Sequence, residues 1–211
     1  MSFTNMDGHF IVDALIQTIQ NNKQYLSDID GAIGDGDHGI NMNKGVSIAR
    51  NELDTVDYDL SKGLEILTMS LMDKIGGSMG PLYGSIFLGM QRAIHDKKTI
   101  EDDDIVAMLV QGYQNLQNIS TAKPGDKTLV DVMDPAINAL QNDYNLNHDV
   151  KSALIACKSA ARKGMESTKD LVAKIGRASR LGEKSRGHQD AGATSCYLLL
   201  EAFCDTAIKL S

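Results

Sequence analysis

Apolar residues recur along this chain at steps of three and four, and alternation of period two between hairpin turns is hard to find. Leu60, Leu64, Leu67, Leu71 and Ile75 form one such stripe, and Ile105, Met108, Leu109, Gly112 and Leu116 form another. The carboxy-terminal stretch repeats it with Cys196, Leu199, Leu200, Phe203, Ala207 and Leu210. Residues at these spacings lie one above another on a helix, so each stripe is one buried helical face. The periodicity predicts helices near 7–26, 39–54, 59–75, 79–96, 101–118, 128–143, 148–168 and 191–209. Thr99 and Asp102 read as a capping box at the start of the fifth, with acidic residues filling its first turn.

Breakers fall between these stripes. The prolines are Pro81, Pro124 and Pro135, and most glycines cluster in 31–45, 76–89 and 176–192. Short connections favour antiparallel neighbours, so the expected fold is all-α: a bundle or barrel of about eight antiparallel helices. Residues 1–211 read as a single domain, without repeat or linker. The segment 169–190 is the exception, long and polar with little periodicity of its own, as functional or mobile loops are.

Composition narrows the class. Hydrophobic residues make up 42% and charged residues 23%, an ordinary globular balance. A net charge of −7 argues against a nucleic-acid partner, which calls for a basic face, but not against one nucleotide held through a metal. No apolar run is long enough for a membrane helix, and the first residues lack a secretory signal pattern. Cys157, Cys196 and Cys204 form no Cys-x-x-Cys pair and read as small buried hydrophobes in a reducing cytoplasm.

The most informative stretch runs from Asp28 to Asn41, where glycines alternate with carboxylates before a helix opens. Gly34, Gly36 and Gly39 fit Gly-x-Gly-x-x-Gly, but no strand precedes them, and carboxylates inside the loop would repel a bare pyrophosphate. A calcium loop fails as well, because Ile40 and Val46 fall where its glycine and glutamate belong. What remains is a set of hard oxygen ligands in Asp30, Asp35 and Asp37. Magnesium takes one or two carboxylates and completes its shell with phosphate oxygens and water. The helix opening at His38 would aim free N–H groups at those phosphates. A solvated acidic turn with Asp37 capping the helix accounts for the same residues.

Three further loops carry candidate chemistry. Gly76 to Ser85 is a glycine-rich turn suited to close approach by a ligand or by a neighbouring helix. In Pro124 to Asp131, Lys127 either reaches a phosphate or is solvated. Between Gly176 and Gly192 lie three arginines, one lysine and four glycines, either a phosphate-binding face or a soluble surface loop.

Together these segments resemble the nucleotide-binding L subunit of dihydroxyacetone kinase. The likeness is carried by Gly34-Asp-Gly-Asp-His-Gly39 with Asn41 to Asn43, Gly76-Gly with Gly80-Pro, and Pro124-Gly-Asp-Lys-Thr128. It continues through Gly176-Arg-Ala-Ser179, Gly187-His-Gln-Asp190 and Gly192-Ala-Thr-Ser195, spanning nearly the whole chain. The resemblance implies a helical barrel with ADP or ATP in the loops at one end. Two Mg2+ ions would be held by Asp30, Asp35 and Asp37. It places His38, Gly39, Ile40, Asn41, Ser78 and Met79 at the nucleotide, together with Ser120, Leu129, Asp190, Ala191 and Gly192. Arg177 would contact it too, as the catalytic residue. Met79 stands where the family carries a small hydroxyl residue, so no side-chain phosphate contact is carried over there, and the adenine side is matched only loosely, at Ser120. The resemblance also implies two partners: a K subunit holding dihydroxyacetone, and an M subunit whose phosphohistidine recharges resident ADP. Direct exchange of ATP, or a regulatory subunit that binds a transcription regulator, fits the same motifs.

Overall fold

The computed structural model describes residues 2–75 and 77–210. Among them are nine α-helices: α1 (His9–Asn21), α2 (Lys23–Ile33), α3 (His38–Leu53), α4 (Leu60–Lys74), α5 (Met79–Ile94), α6 (Asp102–Ile119), α7 (Val130–Asn147), α8 (Val150–Ser167) and α9 (Ala191–Lys209). From α3 to α9 each helix packs on the next, and α1 closes the ring by packing on both α3 and α9. Eight helices therefore form the wall, and α2 lies outside it against α3 and α9.

The stripes explain the closure. Leu60, Leu64, Leu67 and Leu71 of α4 are fully buried, as are Ile105, Met108 and Leu116 of α6. Burying one such side chain contributes roughly 1.5–3 kcal/mol. Ring contacts tighten where glycine removes a side chain. A Cβ on Gly164 of α8 would collide with the carbonyl of Asp131 at the start of α7.

Several expectations need correction. The first predicted helix, 7–26, is two helices divided at Asn22, which leaves the helical backbone range and turns its Nδ2 onto Thr18 O at 2.8 Å. The second of them runs on to Ile33, so Asp28 and Asp30 sit on helix α2 rather than in a flexible loop. Its last turn lacks a strong apolar stripe, which hid it. Thr99 does not cap a helix. It pairs with Thr4 in an antiparallel ribbon, β1 (Ser2–Thr4) with β2 (Thr99–Glu101), too short for period two to register. The capping box lies two residues on, between Glu101 and Asp104. Helix α7 continues past the predicted end at 143 to Asn147, where His148 stops it in a left-handed conformation. The segment 169–190 is partly ordered by 3-10 turns at Thr168–Asp170 and Arg177–Ser185.

Candidate functional site

One end of the ring gathers the beginnings of four helices around a cleft of about 630 Å³. His38 and Asn41 come from the first turn of α3, Met79 and Leu82 from that of α5, Leu129 precedes α7, and Ala191 and Gly192 open α9. The positive dipole ends of these helices converge on one space. That is the physical requirement for holding an anion.

The acidic side of the cleft is built by the α2–α3 junction. Asp30 lies in the last turn of α2, and its Oδ2 accepts the backbone N–H of His38 at 3.3 Å. Gly36, at φ +75°, bends the chain so that Asp35 and Asp37 return toward Asp30. One ligand oxygen from each of Asp30, Asp35 and Asp37 lies within 4.8 Å of the others. Asp37 is the N-cap residue of α3 but makes no side-chain cap to it. Burial raises the Asp30 carboxyl above its ordinary value, and the charges of Asp35 and Asp37 raise it further against the His38 N–H. Such a cluster favours a cation among its members. Arg177 supplies part of that charge, its Nη1 pairing with Asp35 and lying 3.1 Å from Asp37 Oδ1. An all-carboxylate donor set without thiolate or imidazole suits a hard ion of the magnesium type. The residues fit the implied metal.

The floor is a buried polar cluster. His38 is 6% exposed, and its Nε2 lies 2.7 Å from Ser195 Oγ on α9. That hydroxyl is 2.6 Å from the phenol of Tyr83, which also donates to Gly192 O at 2.9 Å. Burial pushes the imidazole down to about 4, with Asp37 working the other way, so His38 is neutral near pH 7. Asp190 caps α9 by accepting Ala193 N–H at 2.7 Å. Burial raises its carboxyl to about 6 despite the Ala193 bond and the nearby Lys127.

The remaining candidates divide. Ser78, Met79, Leu129, Arg177, Asp190, Ala191 and Gly192 line the cleft, as do Asp30, Asp37, His38 and Asn41. Asp35 stands beside them through the carboxylate cluster. Gly39 is buried beneath them, where a Cβ would strike the Lys23 carbonyl, so its glycine lets α2 press on α3. Ile40 is exposed. Ser120 ends α6, its hydroxyl accepting Ala122 N–H at 3.2 Å. Gly76 lies outside the described residues. Sequence reasoning missed Tyr83 and gave Ser195 no role. Tyr83 stood within the glycine-rich stretch Gly76 to Ser85 without a role of its own, while Ser195 lay inside a recognised motif whose partners are distant in sequence. Lys127 is not solvated, although it lines the cleft. It is 1% exposed, and its ammonium donates to Thr168 O at 2.5 Å, Leu171 O at 3.3 Å and His188 O at 2.5 Å.

Comparison with known proteins bears on this arrangement. The model of the DAK2 domain matches residues 32–205. The ADP-binding subunit DhaL of PEP-dependent dihydroxyacetone kinase 1 from Listeria innocua is 39% identical over 194 residues, 92% of each chain. The DhaL subunit of a PTS-dependent dihydroxyacetone kinase from Lactococcus lactis is 38% identical over 190 residues, 90% of this chain and 91% of that one. The crystal structure of the dihydroxyacetone kinase from C. freundii, in complex with AMP-PNP and Mg2+, shares the fold. Its TM-score is 0.68 at 22% identity, covering 92% of this chain and 33% of that one. The relatives are thus named as subunits of a phosphotransferase, and the chain belongs to the DAK2-domain family.

Proposed function

We propose that this chain is the nucleotide-holding subunit of a cytoplasmic dihydroxyacetone kinase. In this reading ADP stays in the cleft, anchored through two Mg2+ ions on Asp30, Asp35 and Asp37. A phosphoryl group enters from the phosphohistidine of an M subunit and leaves to dihydroxyacetone held by a separate K subunit. One observation carries it: three carboxylates and an arginine meet where four helix N-termini point into a single cleft. Cations on the carboxylates and N–H groups on the helices suit the two ends of a polyphosphate.

Magnesium, when bound, would neutralise phosphate charge that the carboxylates otherwise repel. The chain's own residues do the rest. Helix α3 would present the N–H groups of Gly39 and Ile40, and α9 those of Ala191 and Gly192, while the His38 and Ala193 N–H groups are held by Asp30 and Asp190. Neutral His38 is tied to Ser195 and keeps the floor fixed without adding a charge. Arg177 sits on the carboxylate cluster, so its guanidinium lies where charge spreads over the moving group's oxygens. The glycines around 176–192 allow that wall to approach and exclude water, which would otherwise hydrolyse the phosphoryl group.

Reconstitution tests the proposal. Purified chain is mixed with a dihydroxyacetone-loaded K protein and offered either a phosphohistidine M protein or free ATP. Phosphorylation of dihydroxyacetone from the M protein, with ADP retained through repeated turnovers, is expected. Turnover only with free, exchanging ATP contradicts the relay, and no turnover with either donor contradicts the kinase reading.

A further inference from the structure

The segment between α8 and α9 carries Arg177 and ends on Asp190, and its only regular structure among the described residues is the 3-10 turns at Thr168–Asp170 and Arg177–Ser185. Its base is closed by Gly187 N–H donating to Lys169 O at 2.7 Å and by Asp190 N–H donating to Thr168 Oγ1 at 3.1 Å. Into this base comes Lys127, from a turn more than forty residues upstream. An ammonium has three donors and no acceptor. Here its three acceptors are the carbonyls of Thr168, Leu171 and His188, which lie on both sides of the closure. No donor remains for a phosphate, and the side chain is sealed from water.

The turn around Lys127 is built to aim it. Lys127 takes φ +62°, a left-handed conformation that costs about 1–2 kcal/mol for a residue with a Cβ. Gly125 beside it is at φ +92°. The buried carboxylate of Asp131 grips both sides of the turn, accepting Gly125 N–H on Oδ1 and Thr128 N–H on Oδ2 at 2.7 Å. A second tie runs in parallel, with Lys174 donating its N–H to Asp126 O and pairing with the Asp126 carboxylate at 3.1 Å. A charge-assisted donor shared by three carbonyls is strong. Thr168 O also accepts the Leu171 N–H at 3.3 Å, so removing the ammonium takes a partner chiefly from Leu171 O and His188 O.

We propose that Lys127 is a positioning residue, a pin whose ammonium fixes the base of the 168–190 segment and so sets where Arg177 and Asp190 stand at the cleft. The inference rests on the reading of that segment as the phosphate-side wall. Lys127 itself touches no phosphate.

The first test uses the wild-type chain without nucleotide. A pinned ammonium exchanges its protons slowly and gives a resolved 15N–1H signal for Lys127 Nζ near neutral pH, whereas a signal lost to fast exchange, as for a solvated lysine, overturns the pin. The second test is Lys127→Met, which keeps length and removes donors. Hydrogen exchange within 168–190 is expected to quicken about tenfold or more while α1 and α4 keep their protection. Single-turnover transfer at saturating nucleotide is expected to slow about tenfold or more. Uniform loss of protection across the whole ring, with transfer by the folded fraction intact, makes Lys127 merely structural and overturns the proposal. Arg177→Ala serves as the reference, because it removes the wall's charge without touching the pin. If Lys127→Met loosens the segment and neither variant changes transfer, the reading of the wall is what fails.

Discussion

His38 Nε2 lies 2.7 Å from Ser195 Oγ, a contact that joins the start of α3 to the start of α9 across 157 residues of chain. It buries the imidazole, and burial holds it down to about 4 against an ordinary 6.5. Between these values the unfolded chain binds the proton and the folded chain does not. Stability is therefore unaffected above about 6.5 and is lost as pH falls from there toward 4. The loss reaches on the order of 3 kcal/mol. His38→Gln should flatten that part of the stability profile in urea titrations. In NMR spectra, the His38 ring signals should hold steady from about pH 8 to about pH 5. A ring titrating near its ordinary value contradicts the buried contact.

Stripping metal and nucleotide should lower the melting temperature. Three carboxylates within 4.8 Å repel once cations leave, and ligand at about 100 times its Kd contributes roughly 2.7 kcal/mol by mass action. Thermal scans of chelated and loaded protein check this. Coincident transitions would show that the cleft and the fold are not coupled.

Gly164→Ala should destabilise the ring by about 1–3 kcal/mol, because the new Cβ meets the Asp131 carbonyl and nothing there is flexible. The urea midpoint measures it. Asp131 also holds the turn at 125–128, so a loosened turn should accompany the shift. An unchanged midpoint would mean that α7 and α8 are less tightly seated than they stand.

The legible parts of the sequence were those with local signatures. The leucine stripe of α4 and the apolar face of α6 announced their helices. The aspartate–glycine alternation announced the acidic wall, and so did the basic loop for Arg177. Non-local features stayed hidden. Three residues of ribbon leave no period to read, and Asn22 gives no sign that a long apolar pattern turns there. The third carboxylate, Asp30, looked like loop because α2's final turn is polar and glycine-bearing. Lys127 is the clearest case. A lysine between aspartate and threonine reads equally as a phosphate contact or a solvated side chain, and only the packed segment shows that its three acceptors are backbone carbonyls some forty to sixty residues away.

Arg177→Ala should slow transfer from nucleotide-loaded protein by about 10²-fold, roughly 3 kcal/mol of transition-state stabilisation. Nucleotide affinity should fall much less, because the carboxylate-held cations still bind its phosphates. Single-turnover transfer paired with calorimetry separates the two. A loss confined to affinity would make the guanidinium beside Asp37 an anchor only.

The central claim is that Asp30, Asp35 and Asp37 load the cleft with a metal-bound nucleotide. Its most direct test is the ADP and magnesium content of purified Asp35→Asn and Asp37→Asn proteins, with far-ultraviolet circular dichroism as the control for folding. Both carboxylates are exposed or half-buried on the cluster, so helicity should stay close to wild type. The account predicts that wild type retains stoichiometric ADP with magnesium and that each variant loses both. A folded variant of either kind that still carries stoichiometric ADP and magnesium would contradict it.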